Sequence, residues 1–195
     1  VLPGPGVGHL HLVTQAMERL EDVFVGMGFT VAEGPEVETD WHNFGALNFP
    51  PDHPARDMYD TLYVNLGEPG STLLRTHTSP SQIHVMRSTP PPIRALMPGR
   101  CFRHEAVDAS HGFEFFQVEG LMVDESTTMA HLRGLLDAFA HAMFGPAKRT
   151  RFRPGYYPFT EPSVAFDVEG LICGGSGCPA CGRSGWMTIL GAGRV

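Results

Sequence analysis

Lysine is nearly absent from this sequence of 195 residues: Lys148 is the only one, and arginine supplies the remaining positive charge. The formal net charge is −7. Because clustered cations hold a nucleic-acid backbone, this balance excludes a protein that binds nucleic acid by bulk electrostatic attraction. Arginine suits the planar recognition of carboxylates and phosphates, so the bias favours local anion sites, although a biased genome composition would produce it equally well.

Long apolar runs are also missing. No stretch of about 18 apolar residues occurs, which excludes a membrane-spanning helix. The first residues lack the basic start and apolar middle of a signal peptide, and no internal repeat or low-complexity tract is present. We therefore expect a cytoplasmic protein that folds as a single domain over residues 1–195, with 42% hydrophobic residues to form its core.

Hydrophobic periodicity predicts the secondary structure. Helical spacing predicts helices at 9–27, 79–88 and 127–144. Alternation predicts strands at 29–32, 61–66, 72–76, 93–97, 100–105, 113–123, 151–154, 164–168 and 187–191. Residues 41–58 have no period and indicate a long ordered loop. Because few helices separate the strands, we expect an α+β fold with an antiparallel sheet flanked by helices.

Two neighbouring strands carry polar side chains at a spacing of two. Arg103 and Glu105 lie on one predicted strand, and Gln117 and Glu119 on the next. Residues two apart share a face of a sheet, so a cation, carboxylates and an amide collect on one surface. Such a surface suits a nucleotide or an ammonium group. An exposed, salt-bridged sheet face without a ligand explains the same spacing.

These residues also carry a resemblance. Residues 102–105 (Phe-Arg-His-Glu) with 116–120 (Phe-Gln-Val-Glu-Gly) resemble motif 2 of class II aminoacyl-tRNA synthetases, in the form typical of the phenylalanine-specific alpha subunits. Further segments resemble that family in the same order: 28–29 with 34–38, 43–48, 53–57, 74–79, and 151–154 with 157–162. The resemblance covers residues 8–195. It implies the class II synthetase core, activation of phenylalanine by ATP, and transfer to tRNA(Phe).

The resemblance implies roles for the residues that would bind ATP. Arg103 corresponds to the catalytic arginine that contacts the α-phosphate, and Glu105 to a contact at the adenine end. His111 corresponds to a phosphate contact and Phe115 to an aromatic residue that stacks on adenine. Glu161 corresponds to a ligand of Mg²⁺.

The resemblance also implies an amino-acid site. The residues that would hold the ammonium and carboxylate groups of the substrate are His77, Ser79, Gln117 and Glu119. Tyr157 and Phe159 would surround the phenyl ring, with Tyr59 at the pocket edge in place of a frequent tryptophan. The family usually has phenylalanine at the position of Tyr157, so the hydroxyl adds polarity there. Without the resemblance, a structural histidine at 77 and core aromatic residues at 157 and 159 are the more common interpretations.

The family works with partners. It forms a tetramer of two alpha and two beta subunits, and the resemblance implies a beta-subunit partner here.

The third motif of the family, which binds the ATP γ-phosphate, would lie beyond Val195, so we expect a core that is incomplete at the C-terminus. A non-catalytic module that holds ATP or an amino acid, or docks a partner, is the alternative function.

Three cysteines lie close together in a Gly-rich segment, predicted to be a hairpin insertion over residues 171–186. Cys173, Cys178 and Cys181 have the spacing C-x4-C-x2-C. A zinc knuckle needs four ligands, so Asp167, Glu169 or a partner chain would have to complete it. A zinc site, a degenerate knuckle and an incidental hairpin all remain open, and a small zinc-dependent interaction protein is a third functional hypothesis.

Overall fold

A computed structural model of the protein describes residues 8–57, 60–104 and 112–195. None of the helices in these ranges has the length and apolar character needed to cross a membrane. In chain order the elements are α1 (Leu12–Gly26), β1 (Thr30–Val31), β2 (Val37–Thr39), α2 (Asp40–Asn43), a 3₁₀ turn (Gly45–Leu47), α3 (Pro54–Asp57), β3 (Thr72–Leu74), α4 (Pro80–Ser88), β4 (Ile93–Phe102), β5 (Glu114–Val123), α5 (Met129–Phe144), β6 (Thr150–Tyr157), β7 (Thr160–Glu169), a 3₁₀ turn (Pro179–Cys181) and β8 (Trp186–Gly193).

A long antiparallel hairpin of β4 and β5 carries the central polar residues. The short β1 adds to β4 in parallel. The register of the hairpin places Gly99 opposite Gln117 and Met97 opposite Glu119. Because side chains alternate between the two faces of a sheet, Gln117 and Glu119 lie on the same face.

Two further sheets complete the fold. β6, β7 and β8 form an antiparallel sheet with β7 in the centre, and β2 pairs antiparallel with β3. β3 leads into the segment before α4, so the small sheet positions the residues that face the β4–β5 hairpin. The predicted α+β architecture with antiparallel strands is confirmed, with the short parallel pair of β1 and β4 as an addition.

Helix α5 contributes to two hydrophobic cores. The first core lies against the β4–β5 hairpin, and the second against the β6–β7–β8 sheet. Full burial of such side chains contributes about 1.5–3 kcal/mol each, so α5 holds both sheets in place. The buried residues are Phe24, Phe29, Leu96 and Phe139 in the first core, and Leu136, Ala140, Phe166 and Val168 in the second.

The predicted break in β4 was wrong. Strands were expected at 93–97 and 100–105, separated by Pro98 and Gly99, but β4 runs without interruption and each residue to Phe102 has a partner in β5. β1 pairs only with Ala95 and Leu96, so none of the described strands pairs with that side of β4 at Pro98. A proline is tolerated where its missing N–H leaves no ladder bond unmade.

The segment between β1 and β3 also differs from the prediction. The expected loop at 41–58 contains α2, α3 and a 3₁₀ turn, and β2 was missed. Residues 61–66 lie beside β3 but form only one isolated bridge, between Tyr63 and Leu73. These short elements depend on long-range contacts, such as the pair of hydrogen bonds from Arg56 to Asp40, at 2.9 and 3.0 Å.

Candidate active site

The carboxylate of Glu119 is the centre of a polar cluster between β5 and α4. It accepts hydrogen bonds from Ser79 Oγ at 2.8 Å, Gln82 Nε2 at 2.7 Å and Gln117 Nε2 at 3.1 Å. Burial raises the pKa of Glu119 above its ordinary value, and the bonds from Ser79 and Gln82 oppose that rise by favouring the ionised form. The cluster therefore presents a carboxylate in a largely desolvated place.

The start of α4 delivers two of these donors. Ser79 and Gln82 are both buried, and Pro80 occupies the first helical turn. Residues three apart lie on one side of a helix, so both side chains point at the same acceptor. Gln82 was not among the predicted site residues, although its spacing from Ser79 was the signal that could have identified it.

The thiol of Cys101 orients Gln117. Its Sγ donates to Gln117 Oε1 at 3.6 Å, which leaves the amide nitrogen of Gln117 directed at Glu119. Burial raises the pKa of Cys101 to about 12, so the thiol stays neutral. Cys101 was predicted as a core residue, and it is fully buried.

His77 lies in a buried segment that precedes α4. Burial, followed by the positive charge of Arg103, lowers the pKa of His77 to about 3, so the imidazole is neutral near pH 7. Its ring centroid lies 6.5 Å from that of Phe159 and 6.3 Å from that of Phe44. His77 therefore faces the aromatic side of the site, while Ser79 faces Glu119.

Asn43 holds the backbone beside His77 in position. Its side chain is fully buried, donates to Thr76 Oγ1 at 3.0 Å and accepts from the Thr76 N–H at 3.2 Å. The carbonyl oxygen of Thr76 then accepts from both Nε and Nη2 of Arg103, each at 3.2 Å. The link from Asn43 through Thr76 to Arg103 was missed at the level of sequence.

Arg103 lies just beyond β4, in a partly exposed position. Its guanidinium carbon is 4.8 Å from the ring centroid of Phe115, in a cation–π arrangement. The structure thus joins the predicted phosphate-binding arginine to the predicted adenine-stacking residue. The carbonyl and the ring fix the direction of the guanidinium, and the planar guanidinium of arginine suits recognition of a phosphate.

An aromatic wall borders the site. Phe159 packs on a buried cluster of Phe44, Leu47, Phe49 and Leu73, and its ring centroid is 5.8 Å from that of Phe49. Phe159 itself is only partly buried, so one part of its ring remains available for an apolar ligand.

Tyr157, Phe159 and Glu161 line one cleft of about 420 Å³. A Cβ atom at Gly191 would lie 2.2 Å from Cζ of Tyr157, so the tyrosine ring packs directly on the glycine backbone. Glu161 is exposed at the rim, where its N–H donates to the carbonyl of Arg194 at 2.8 Å.

The structure brings most of the predicted site residues together. Ser79, Gln117 and Glu119 form one cluster, Arg103 and Phe115 a second, and His77 lies beside Phe159. The predicted positions Tyr59, Glu105 and His111 lie outside the described residues. Their roles stay predictions.

The three clustered cysteines lie in the β7–β8 connection, outside the polar cluster around Glu119. No disulfide joins them, and Cys181 is buried. Hydrogen bonds from backbone amides, first that of Cys178, lower the pKa of Cys181 to about 7. Asp167 and Glu169, the predicted completing ligands, are both engaged in ion pairs with arginines. Hydrogen bonds led by that of Arg153 hold the pKa of Asp167 well below its usual range.

Among curated proteins, the chain is similar to two bacterial proteins named phenylalanine–tRNA ligase alpha subunit. It is 55% identical over 199 residues to the protein of Roseiflexus castenholzii, and this alignment covers 100% of the chain and 57% of the relative. It is 51% identical over 189 residues to the protein of Caldicellulosiruptor saccharolyticus, and this alignment covers 97% of the chain and 54% of the relative. The chain thus spans slightly more than half the length of these relatives.

Solved structures and a family model agree on the fold. A pyrrolysyl-tRNA synthetase from Desulfitobacterium hafniense matches with a TM-score of 0.60 at 19% identity, covering 80% of this chain and 55% of that one. A second structure, described as D. hafniense PylSc, gives 0.59 at 16% identity and covers 82% and 56%. The family model for the tRNA synthetase class II core domain (F) matches residues 4–195. The chain belongs to the family of class II tRNA synthetase core domains.

Proposed function

We propose that the protein is the catalytic core of a phenylalanine–tRNA ligase alpha subunit. It activates phenylalanine with ATP to phenylalanyl-adenylate and transfers the acyl group to tRNA(Phe). The observation that carries the proposal is the carboxylate of Glu119, held by three donors beside a neutral histidine and an aromatic wall. The name that the curated relatives share supports the choice of amino acid.

The polar cluster suits the ammonium group of an amino acid. An ammonium ion removed from water needs a carboxylate and neutral acceptors, which Glu119 and the oxygens of Ser79 and Gln117 provide. The neutral imidazole of His77 carries both a donor and an acceptor nitrogen, so it serves the substrate carboxylate without adding charge.

The aromatic wall suits the benzyl side chain. Phe159 and Tyr157 line the cleft, and aromatic rings favour offset or edge-on contacts with a phenyl group. The Tyr157 hydroxyl lies close to Gly191, which directs it at the backbone of β8. We therefore expect the pocket to prefer phenylalanine over tyrosine through shape.

Arg103 serves the first chemical step. A carboxylate oxygen of phenylalanine attacks the α-phosphorus of ATP in line, and pyrophosphate leaves. The guanidinium neutralises charge that develops on the phosphoryl oxygens, and the protein acts mainly through position and electrostatics. In the second step a ribose hydroxyl of tRNA attacks the activated carbonyl, and AMP leaves.

Magnesium and partner chains belong to the same proposal. Mg²⁺ is commonly bound by one or two carboxylates together with substrate phosphates, and the exposed Glu161 at the cleft rim fits such an ion brought by ATP. The ion would neutralise the leaving pyrophosphate. We further place the protein in the cytoplasm, in a tetramer of two alpha and two beta subunits.

The test is phenylalanine-dependent exchange between ATP and pyrophosphate. We expect Arg103→Ala to lower the exchange rate by about 10²–10³-fold, as expected when one charge-stabilising donor is removed. Arg133→Ala is the matched control, because Arg133 is an exposed arginine on α5. A folded protein that shows no exchange, with or without a beta subunit, would point to the non-catalytic binding module instead.

A further inference from the structure

The β7–β8 connection holds three cysteine sulfurs in one cluster. Cys181 Sγ lies 3.8 Å from Cys173 Sγ and 3.9 Å from Cys178 Sγ, and all three sulfurs lie within 4.8 Å of one another. A tetrahedral zinc ion with Zn–S bonds of about 2.3 Å separates its sulfur ligands by roughly 3.8 Å. The spacing is therefore that of sulfurs around a single ion.

Backbone amides point at the central sulfur. The N–H groups of Cys178 and Gly185 donate to Cys181 Sγ, at 3.1 and 3.3 Å. Gly182, with φ +58°, turns the chain between them. Amide donors favour an ionised sulfur, and thiolates are the form in which cysteines bind metal.

Gly170 lies beside one sulfur of the cluster. A Cβ atom at Gly170 would lie 2.6 Å from Cys173 Sγ. Two residues separate Gly170 from Cys173, the same spacing that separates Cys178 from Cys181. Two C-x2-C pairs form a common zinc site, and here a glycine stands where the first of the four cysteines would be.

We propose that Cys173, Cys178 and Cys181 bind one Zn²⁺ ion as thiolates, with solvent at the fourth position beside Gly170. Sulfur donors select a soft or borderline ion such as zinc over Mg²⁺ or Ca²⁺. Three thiols lose their protons to solvent on binding, and no redox change occurs. The ion fixes the connection between the central strand β7 and β8, a structural role separate from the amino-acid and ATP sites.

The test measures metal in the untagged protein, reduced, loaded with Zn²⁺ and desalted. Mass spectrometry should find about one zinc per chain. Co²⁺ in its place should give sulfur-to-cobalt charge transfer and the visible bands of a tetrahedral ion. Cys181→Ser should lose nearly all bound metal, whereas Cys101→Ser should keep it, because Cys101 is buried in β4 outside the cluster.

A gain of affinity provides a second measurement. Gly170→Cys adds a fourth thiolate and should tighten zinc binding by about tenfold or more in competition with a chelator. Gly170→Ala adds the same Cβ without sulfur and should not tighten it. The proposal is overturned if the folded, reduced protein retains no zinc, if Cys181→Ser keeps it, or if the cysteines form a disulfide while zinc is present.

Discussion

Gln82 binds Glu119 across the gap between α4 and β5, with Nε2 and Oε2 only 2.7 Å apart. This bond fixes the second carboxylate oxygen, while Ser79 and Gln117 both donate to the first. The carboxylate therefore cannot rotate without breaking a charge-assisted hydrogen bond. An amide from the helix sets the direction in which the carboxylate meets a ligand.

Loss of that amide should weaken amino-acid activation. Gln82→Ala removes a hydrogen bond to a charged group, worth about 1.5–3 kcal/mol. We expect kcat/KM for phenylalanine in pyrophosphate exchange to fall by about tenfold to a hundredfold, mostly through KM. Gln15→Ala, at an exposed position on α1, is the control. Equal kinetics in both variants would contradict a role for Gln82.

The buried His77 should make the protein sensitive to acid. Its pKa is about 3 in the folded protein and 6.5 in the unfolded chain, so between these values the unfolded chain binds the proton more readily. The contribution of the neutral His77 to the free energy of unfolding is fully present above pH 6.5. It is lost as the pH falls from 6.5 toward 3, by about 1.4 kcal/mol for each pH unit. His77→Gln should flatten this slope in urea unfolding at several pH values. His131→Gln, at an exposed position, should retain the slope of the unchanged protein.

Asn43 should matter for stability although it lies in a helix of only four residues, α2. Asn43→Ala would leave the buried N–H and hydroxyl of Thr76 without their partner, at a cost of about 1–3 kcal/mol for each group. We expect the free energy of unfolding to fall by about 2–4 kcal/mol. Asn65→Ala, in an exposed turn, should change it by less than about 0.5 kcal/mol. Similar losses in both variants would be evidence against the buried link.

Replacement of two glycines by alanine should change the stability of the protein in opposite directions. A Cβ at Gly99 would lie 1.8 Å from Nη2 of the buried Arg75, whose guanidinium donates to the carbonyls of Gly34 and Arg100. Gly99→Ala should therefore destabilise the protein by about 1–3 kcal/mol. Gly134 lies within α5, where a Cβ would meet nothing within 4 Å, so Gly134→Ala should stabilise by about 0.5–1 kcal/mol. Thermal unfolding distinguishes the two, and a shared sign would refute the packing argument.

The sequence predicted the long elements because their periodicity is local. Helices α1, α4 and α5 and strand β5 lie within a few residues of their expected bounds. The short helices at 40–57 could not be predicted, since elements of three or four residues depend on distant partners such as the contact of Asn43 with Thr76. Pro98 and Gly99 carry a local signal for a break that the ladder with β5 overrides.

The candidate site followed a similar pattern. Resemblance identified Ser79, Gln117 and Glu119, and the structure places them in contact. It assigned no role to Gln82 or Asn43. The spacing of Gln82 from Ser79 places both on one side of α4 but does not indicate the acceptor, and that contact, like the contact of the buried Asn43 with Thr76, is visible only in the structure.

Helix α5 has a consequence for how the protein unfolds. The apolar side chains of α5 belong to both cores. If α5 separated from either sheet, water would reach both cores. The two halves of the fold should therefore melt together in one cooperative transition, and slow amide exchange should extend across both sheets with a common free energy of opening. The helix makes the β4–β5 hairpin and the β6–β7–β8 sheet a single folding unit.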